Sequence, residues 1–175
     1  MTQEATTTHY VYTEPVLELV RVCTECCRIL EQCGETSTPE FCRTMRVVLP
    51  MVYLKMTLLG DVPEVDGWNE PRLTEEDYEY VRSSIAQAMA SYDDFLDTFV
   101  EDFKYSEHPV LCTVSEALAD VYQQIRELVE AFRSGYEESM LAALSDCASE
   151  FRLQWGQKLL NALRAIHDAS LRSED

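Results

Sequence analysis

The sequence predicts an all-α fold, an antiparallel bundle of about five helices. Apolar residues recur at spacings of three and four along almost the whole chain, which is the period of an α-helix. The five Gly and six Pro residues fall mostly where this period breaks, and no strand-like alternation or Asn-Gly hairpin competes with it. Because 46% of the 175 residues are hydrophobic, residues 1–175 are expected to form a single helical domain with one core.

The first helix is predicted over residues 14–33, after a polar N-terminal segment of residues 1–12. Thr13 is a suitable N-cap, and Pro15 fits the opening turn, where a backbone N–H has no helical partner in any case. Gly34 follows directly and is expected to end the helix.

The second helix is predicted to begin at Thr38 and to end before Gly60. Pro50 lies inside it and is expected to kink or split it, because proline removes a backbone donor and crowds the preceding turn. The main loop is predicted over residues 60–73, where two Gly and two Pro residues interrupt the pattern.

A third, long helix is predicted to follow residues 74–77, a capping-box-like sequence whose acids suit the positive end of the helix dipole. Its apolar residues continue at helical spacing well beyond residue 90. They are Tyr78, Val81, Ile85, Met89, Tyr92, Phe95, Phe99 and Phe103. The pattern therefore predicts one unbroken helix up to about residue 103.

Two more helices complete the predicted bundle. After a loop over residues 105–112, the fourth helix is predicted to open at Thr113–Glu116 and to end at Gly135. A fifth, long helix is predicted from about Tyr136 to Leu171, with Gly156 as its weak point.

The chain carries a formal net charge of −18, from 32 acidic and 14 basic residues. Such a field repels phosphate backbones and anionic bilayers, so neither nucleic acid nor a membrane is an expected partner. The longest apolar run, residues 47–54, is far shorter than the roughly 20 residues of a membrane-spanning helix. The opening residues lack the regions of a signal peptide and the seven cysteines are odd in number, so reduced thiols and a cytoplasmic location are expected.

The stretch RVCTECCRIL contains Cys23, Cys26 and Cys27 and includes a Cys-x-x-Cys. These cysteines share the apolar stripe of the first helix, and a free cysteine packs like a small hydrophobic residue. A zinc site needs a second pair of ligands and a thioredoxin-like site needs a β-α-β unit, and the pattern predicts neither. Core packing is therefore expected, with redox sensing and metal binding as the alternatives.

Residues 93–97, Asp-Asp-Phe-Leu-Asp, match the pattern by which all-helical prenyl-diphosphate enzymes hold magnesium. That chemistry requires carboxylates that point into a shared cavity. On the predicted third helix, Asp94 and Asp97 lie opposite the apolar stripe, which favours a solvated face. No cofactor is therefore predicted, and a metal site of Asp93, Asp97 and Asp102 is the alternative.

Lys55 is the first candidate for a binding residue. It lies close to the apolar stripe of the second helix, so its ammonium is expected to be half-buried and to need a carboxylate. Asp93 and Asp102 are the candidate partners. The alternative is a lysine whose amino group reaches water along its own stem.

The polar stripe of the fifth helix, within residues 154–167, is the second candidate. Lys158, Arg164 and His167 concentrate positive charge there in a chain that is otherwise acidic. They are expected either to attract an anionic ligand or the protein's own acidic loop, or to form an intramolecular polar seam between packed helices.

Five segments of the sequence resemble an all-helical bacterial domain family of unknown function. They are VYLKM (52–56), TEEDYEYVR (74–82), EDFKYSEHPV (101–110), ALADVYQQI (117–125) and WGQKLLNALRAIH (155–167). The resemblance covers nearly the whole chain in the same order. It implies a single helical domain and implies no activity, cofactor or catalytic residue. The cysteine cluster is not part of it.

The sequence favours a non-catalytic cytoplasmic domain that binds a protein partner or a small ligand, because it contains no complete catalytic motif. Trp68, Tyr105 and Trp155 lie in or near predicted loops or at the weak point of a helix, and aromatic residues of this kind are common interface anchors. The predicted surface joins the Tyr105 loop to the C-terminal helix. The alternative is a small hydrolase of phosphate esters or nucleotides with carboxylate-bound Mg²⁺ or Mn²⁺, and a homo-oligomer is left open.

Overall fold

Helical periodicity in the sequence produces helices in the same order in the structure. The computed structural model describes residues 9–65, 70–97 and 108–173. The helices in these ranges are α1 (Glu14–Gln32), α2 (Thr38–Leu58), α3 (Glu75–Met89), α4 (Val114–Ser134), α5 (Glu137–Glu150) and α6 (Gly156–Arg172). Short 3₁₀ turns span His9–Tyr12, Cys33–Glu35 and Ala90–Tyr92. The predicted all-helical fold is confirmed.

Local sequence signals set most of the helix ends. α3 begins at a capping box, in which the backbone N–H of Asp77 donates to Thr74 Oγ1 and the backbone N–H of Thr74 donates to the Asp77 carboxylate. α4 ends at Gly135, whose φ of +75° favours glycine. Pro50 does not split α2, which runs from Thr38 to Leu58 without a break.

The predicted fifth helix contains an irregular turn in its middle. α5 and α6 are joined by a π-helical turn, Phe151–Trp155. The backbone N–H of Gly156 donates to the carbonyl of Phe151, five residues earlier, where an α-helix would use the fourth. A Cβ at position 156 would lie 2.6 Å from that carbonyl oxygen, so the turn requires glycine here.

The third helix is shorter than the sequence pattern predicts. α3 ends at Met89, because Ala90 has a φ of +50° and the chain leaves the helix there. The backbone then forms strand β1 (Asp94–Asp97), which pairs antiparallel with β2 (Val110–Thr113). The predicted helical continuation into β1 is wrong, since ladder hydrogen bonds to a later segment replace helical ones. The remainder of that prediction, residues 98–103, lies outside the described residues.

The main hydrophobic core contains side chains from all six helices. α4 packs against α1, α3, α5 and α6 and so lies at the centre of the bundle. The largest fully buried side chains are Trp155, Phe41, Leu19, Leu30, Met45, Leu49, Ile85, Met89, Leu118, Ile125, Leu128 and Leu144. A smaller cluster joins Val11 to Met140 and Leu141. None of the helices in the described ranges is long and apolar enough to cross a membrane.

α2 lies at one side of the bundle, where it packs against α1 and α6. α2 and α6 are antiparallel, as two contacts show. In the first half of α2, Arg46 Nη1 donates to Ser170 Oγ at 3.0 Å, and further along the Tyr53 ring contacts the Phe151 ring with centroids 5.1 Å apart. This arrangement leaves the outer side of α2 uncovered by other described elements.

Candidate functional site

The three clustered cysteines of α1 lie in the core, as the helical phase of the first helix predicts. Cys23, Cys26 and Cys27 are fully buried, and all seven cysteines are free thiols. Burial raises the pKa of Cys26 to about 12, and burial likewise raises that of Cys147 to about 12. Thiols that stay protonated in this way are poor nucleophiles and poor metal ligands, which supports a packing role.

Asp93 caps a helix. The backbone N–H of Ser115 donates to Asp93 Oδ1 at 2.7 Å, and the Ser115 hydroxyl donates to Asp93 Oδ2 at 2.6 Å. The backbone carbonyl of Asp93 also accepts from Val114 at 2.8 Å. Both carboxylate oxygens are therefore used in the first turn of α4, where the helix dipole favours a negative charge.

The alternative metal site is not supported by the part of it that the structure describes. Asp97 Oδ2 accepts a hydrogen bond from Asn161 Nδ2 at 3.1 Å, and the Asp93 carboxylate caps the first turn of α4. Asp102 lies outside the described residues. Within residues 9–65, 70–97 and 108–173, no group of three His, Cys, Asp or Glu side chains is placed to hold a metal ion.

Lys55 is half-buried, as predicted, but its carboxylate partner is Glu18 on α1. The distance from Lys55 Nζ to Glu18 Oε2 is 2.6 Å. Asp93, one of the two predicted partners, caps α4 instead, and Asp102 is not among the described residues. Lys55 therefore joins α2 to α1.

Lys158 belongs to an intramolecular polar seam, which was one of the two alternatives for this helix. Its ammonium pairs with Asp120 of α4, and the Tyr78 hydroxyl donates to the same carboxylate at 2.8 Å. Burial and the Asp120 carboxylate raise the pKa of Tyr78. The seam ties α3, α4 and α6 together in the folded protein.

Trp155 is a core residue. Only 1% of its surface is exposed, its Nε1 donates to the carbonyl of Cys147 at 3.0 Å, and its ring packs edge-on against Phe151. This burial excludes the predicted role of Trp155 as a surface anchor. Trp68 and Tyr105 lie outside the described residues, so their predicted role rests on the sequence.

Arg164 and His167 lie together on the exposed side of α6. They line an open groove of about 450 Å³ between α6 and α2, with Arg46, Pro50, Leu160 and Leu163. Arg46 and Arg164 are exposed, so both guanidinium groups are accessible from the groove. Among the predicted site residues that the structure describes, Arg164 and His167 line this groove together.

A stripe of exposed apolar side chains runs along α2 beside this groove. Val47, Met51, Leu54 and Leu58 are 61%, 43%, 53% and 60% exposed, and their spacing places them on one side of the helix. The opposite side of α2 is buried through Phe41, Met45, Leu49, Val52 and Met56. α2 thus carries more apolar surface than the described bundle covers, and such contiguous patches mark interaction sites.

We call this surface the α2–α6 face: Val47, Met51, Leu54 and Leu58, with the groove residues Arg46, Pro50, Leu160, Leu163, Arg164 and His167. Its charge differs from that of the protein as a whole. Residues 41–60 and 151–167, which include the face, contain six of the 14 Lys and Arg residues and none of the 32 Asp and Glu residues. These two acid-free runs are the signal in the sequence that locates the surface.

A second cleft lies between β1 and α6 and has a volume of about 390 Å³. Its charged lining residues are Asp94, Asp97, Asp168, Arg164 and Arg172, so Arg164 borders this cleft as well as the groove. Arg172 pairs with Asp168 at 2.7 Å, and Asn161 donates to Asp97. Three acids outnumber two arginines in this cleft, and Arg172 already has a carboxylate partner, so the cleft offers an anionic ligand less available positive charge than the α2–α6 face does.

Comparisons with known proteins agree with the helical fold and with the family resemblance. The model of the family described as Domain of unknown function (DUF5063) matches residues 10–172. The chain is also similar to the crystal structure of protein BF1032 from Bacteroides fragilis, with 34% sequence identity and a TM-score of 0.79. The similarity covers 92% of this chain and 98% of that chain. No protein with a curated description matches.

Proposed function

The chain belongs to the family described as Domain of unknown function (DUF5063), and on that premise we propose that it is a non-catalytic domain that binds a protein partner through the α2–α6 face. One observation carries the proposal. Four apolar side chains of α2, Val47, Met51, Leu54 and Leu58, are exposed in one continuous stripe. Isolated exposed apolar residues are ordinary. A contiguous apolar stripe is unfavourable in water, and this free-energy cost is removed when a partner covers the stripe.

The reactive groups of the described chain support binding over catalysis. Asp93 caps α4, Lys158 pairs with Asp120, and Lys55 pairs with Glu18. A catalytic acid, base or nucleophile needs a substrate-accessible position and a pKa suited to proton transfer. Asp93, Lys158 and Lys55 are instead committed to structural contacts.

The shape of the face supports a protein partner over a small ligand. Val47 and Leu58 are eleven residues apart, so the stripe is about 16 Å long. Small-molecule sites are concave and enclose most of their ligand. The exposed ridge of α2 and the open groove beside it offer length without enclosure, which is typical of the surfaces that recognise a segment of another protein.

We also propose that the protein is cytoplasmic. All seven cysteines are free thiols, and this state is normal in a reducing compartment. Nucleic acid is not a proposed partner, because the net charge of −18 opposes the approach of a phosphate backbone.

Site-specific cross-linking tests the proposed function. A photo-reactive amino acid is placed at Leu54 and, as a matched control, at Tyr136, which is 74% exposed and distant in the sequence. Extract of the source organism is irradiated with each protein, and adducts are identified by mass spectrometry. We expect one reproducible protein adduct from position 54 and no such adduct from position 136. Adding Leu58→Asp to the protein labelled at position 54 should abolish the adduct. Equal adducts from both positions, or none from position 54, would overturn the proposal.

A further inference from the structure

Resting on the proposed function, we infer that the partner presents an acidic amphipathic helix to the α2–α6 face. Its apolar side chains pack on Val47, Met51, Leu54 and Leu58. Its carboxylates meet the arginines at the edges of that stripe.

The arginines around the stripe lack counterions of their own. Arg43, one turn before Val47, and Arg164, in the groove, are exposed. Neither makes an ion pair or a side-chain hydrogen bond with another residue of the described part of the chain. Five other arginines have carboxylate partners, such as Arg126 with Glu31 at 2.9 Å, whereas Arg21 and Arg152 have none among the described residues. A partner that brings its own carboxylates supplies what this face lacks.

The acidity of the rest of the protein does not cancel this local preference. Charges in solution are screened over about 8 Å at physiological ionic strength. A segment confined to the α2–α6 face therefore responds mainly to the arginines beside it. Residues 41–60 and 151–167 contain no acid, and two nearby acids, Asp168 and Glu18, are paired with Arg172 at 2.7 Å and with Lys55 at 2.6 Å.

The geometry favours a helix over an extended strand. The backbone N–H and C=O groups of α2 and α6 are used within each helix, so the face offers no ladder groups for an added strand. The exposed positions 47, 51, 54 and 58 repeat at spacings of four and three. A helix with apolar residues at the same spacing can align its stripe with this one and bury both.

A second copy of this chain is a poorer occupant of the same face. Self-association through α2 and α6 would place Arg43, Arg46 and Arg164 of both copies in one interface, to which residues 41–60 and 151–167 contribute no carboxylate. Like charges placed opposite each other across an interface reduce affinity. The positive charge of the face therefore favours an acidic partner and disfavours a second copy of this chain.

An anionic bilayer is also a poorer occupant. A membrane surface extends well beyond one face of a small protein and so meets the acidic remainder of a chain with a net charge of −18. A single helix covers only the cationic, apolar surface and avoids that repulsion.

Binding of designed helical peptides tests the inference. The probes are fluorescent peptides of 18 residues with leucine at four positions of spacing four, three and four and with glutamate at the flanking positions. A panel varies the placement of the glutamates, and a matched set replaces every glutamate with lysine. Affinity for the full chain is measured by fluorescence anisotropy at two salt concentrations.

We expect members of the acidic panel to bind and the lysine set not to bind, with weaker acidic binding at high salt. Leu54→Asp should weaken binding roughly tenfold or more, since it places a charge among the central apolar contacts. Arg164→Glu should weaken acidic binding by roughly fivefold or more and partly restore binding of the lysine peptides. Tyr136→Asp is the matched surface control and should leave affinity unchanged, and circular dichroism confirms that each variant is folded.

Four results would overturn the inference: no binding by any acidic peptide, equal binding of acidic and basic sets, a dimer in sedimentation that Leu54→Asp abolishes, or Leu54-dependent binding to phosphatidylglycerol vesicles. The cross-linking experiment separates these failures from failure of the proposed function. If position 54 gives a specific adduct whose cross-linked segment is not an acidic helix, the surface stands and the partner chemistry assigned to it is wrong.

Discussion

The carboxylate of Asp93 accepts two hydrogen bonds from Ser115, one from its backbone N–H at 2.7 Å and one from its hydroxyl at 2.6 Å. The two residues are 22 positions apart, so the contact fixes the end of α3 relative to the start of α4. It also gives a structural role to the first acid of an Asp-Asp-x-x-Asp sequence that resembles a magnesium-binding motif. Both oxygens of this carboxylate are directed at the first turn of α4.

Replacing Asp93 should destabilise the protein. Asp93→Ala removes two charge-assisted hydrogen bonds to the first turn of α4, so we expect the free energy of unfolding to fall by about 2 kcal/mol. Urea denaturation measures the change. Asp94→Ala, at the exposed neighbouring position in β1, is the control and should stay within about 0.5 kcal/mol of the wild type. Equal stabilities of the two variants would contradict the capping role.

Gly156 and Gly34 should respond to alanine in opposite directions. A Cβ at position 156 meets the Phe151 carbonyl oxygen at 2.6 Å, so Gly156→Ala should lower the free energy of unfolding by about 1–3 kcal/mol. At Gly34 the nearest atom, Ser84 Oγ, is at an ordinary 3.5 Å. Gly34→Ala should therefore be neutral or raise stability by about 0.4–1 kcal/mol. If Gly156→Ala proves stabilising, the π-helical turn does not depend on glycine.

Thiol labelling of the native protein should detect one cysteine. Six of the seven cysteines are buried, and only Cys112 is partly exposed. A thiol reagent at pH 8 should therefore modify one site rapidly and all seven after unfolding in urea. Cys112→Ser should remove the rapid reaction. Rapid labelling of Cys23, Cys26 and Cys27 together in the native state would show that the cluster is not packed in the core.

Stability should decline at alkaline pH because of the buried thiols. Burial raises the pKa of Cys26 from 9.0 to about 12, so the unfolded chain loses this proton first as the pH rises. The stabilisation is complete below pH 9 and is lost between pH 9 and pH 12, with a slope that approaches about 1.4 kcal/mol per pH unit for each such thiol. Urea unfolding between pH 8 and pH 10.5 measures the slope. Cys26→Ala should make it shallower, and an unchanged slope would contradict the assignment.

Helix positions were predictable where a local signal sets them. Three such signals each lie within one turn of the helix end that they set: the capping box at Thr74, the cap at Thr113 and the left-handed Gly135. The end of α3 was not predictable in this way. It depends on the pairing of β1 with β2 and on the hydrogen bonds between Asp93 and Ser115. The helical spacing of Tyr92 and Phe95 indicates neither of these contacts.

The candidate surface was partly readable from the sequence. Arg164 and His167 are conspicuous because they lie in a run without acids. The stripe on α2 was missed because that helix is apolar on two sides, and periodicity alone does not say which side the bundle covers. Lys55 illustrates the same limit: its half-burial follows from its helical phase, whereas its partner Glu18 depends on how α1 and α2 pack.

The methionine methyl groups provide the most direct test of the α2–α6 face as a binding surface. Met51 lies on the face, while Met45, Met56, Met89 and Met140 are buried elsewhere in the bundle. Protein labelled with ¹³C in its methionine methyl groups is titrated with the partner segment recovered by cross-linking, and methyl spectra are recorded by NMR. We expect the Met51 resonance to shift or broaden first and most, and Leu54→Asp to abolish the change. An unchanged Met51 resonance, with shifts at Met89 or Met140 on saturation, would contradict it.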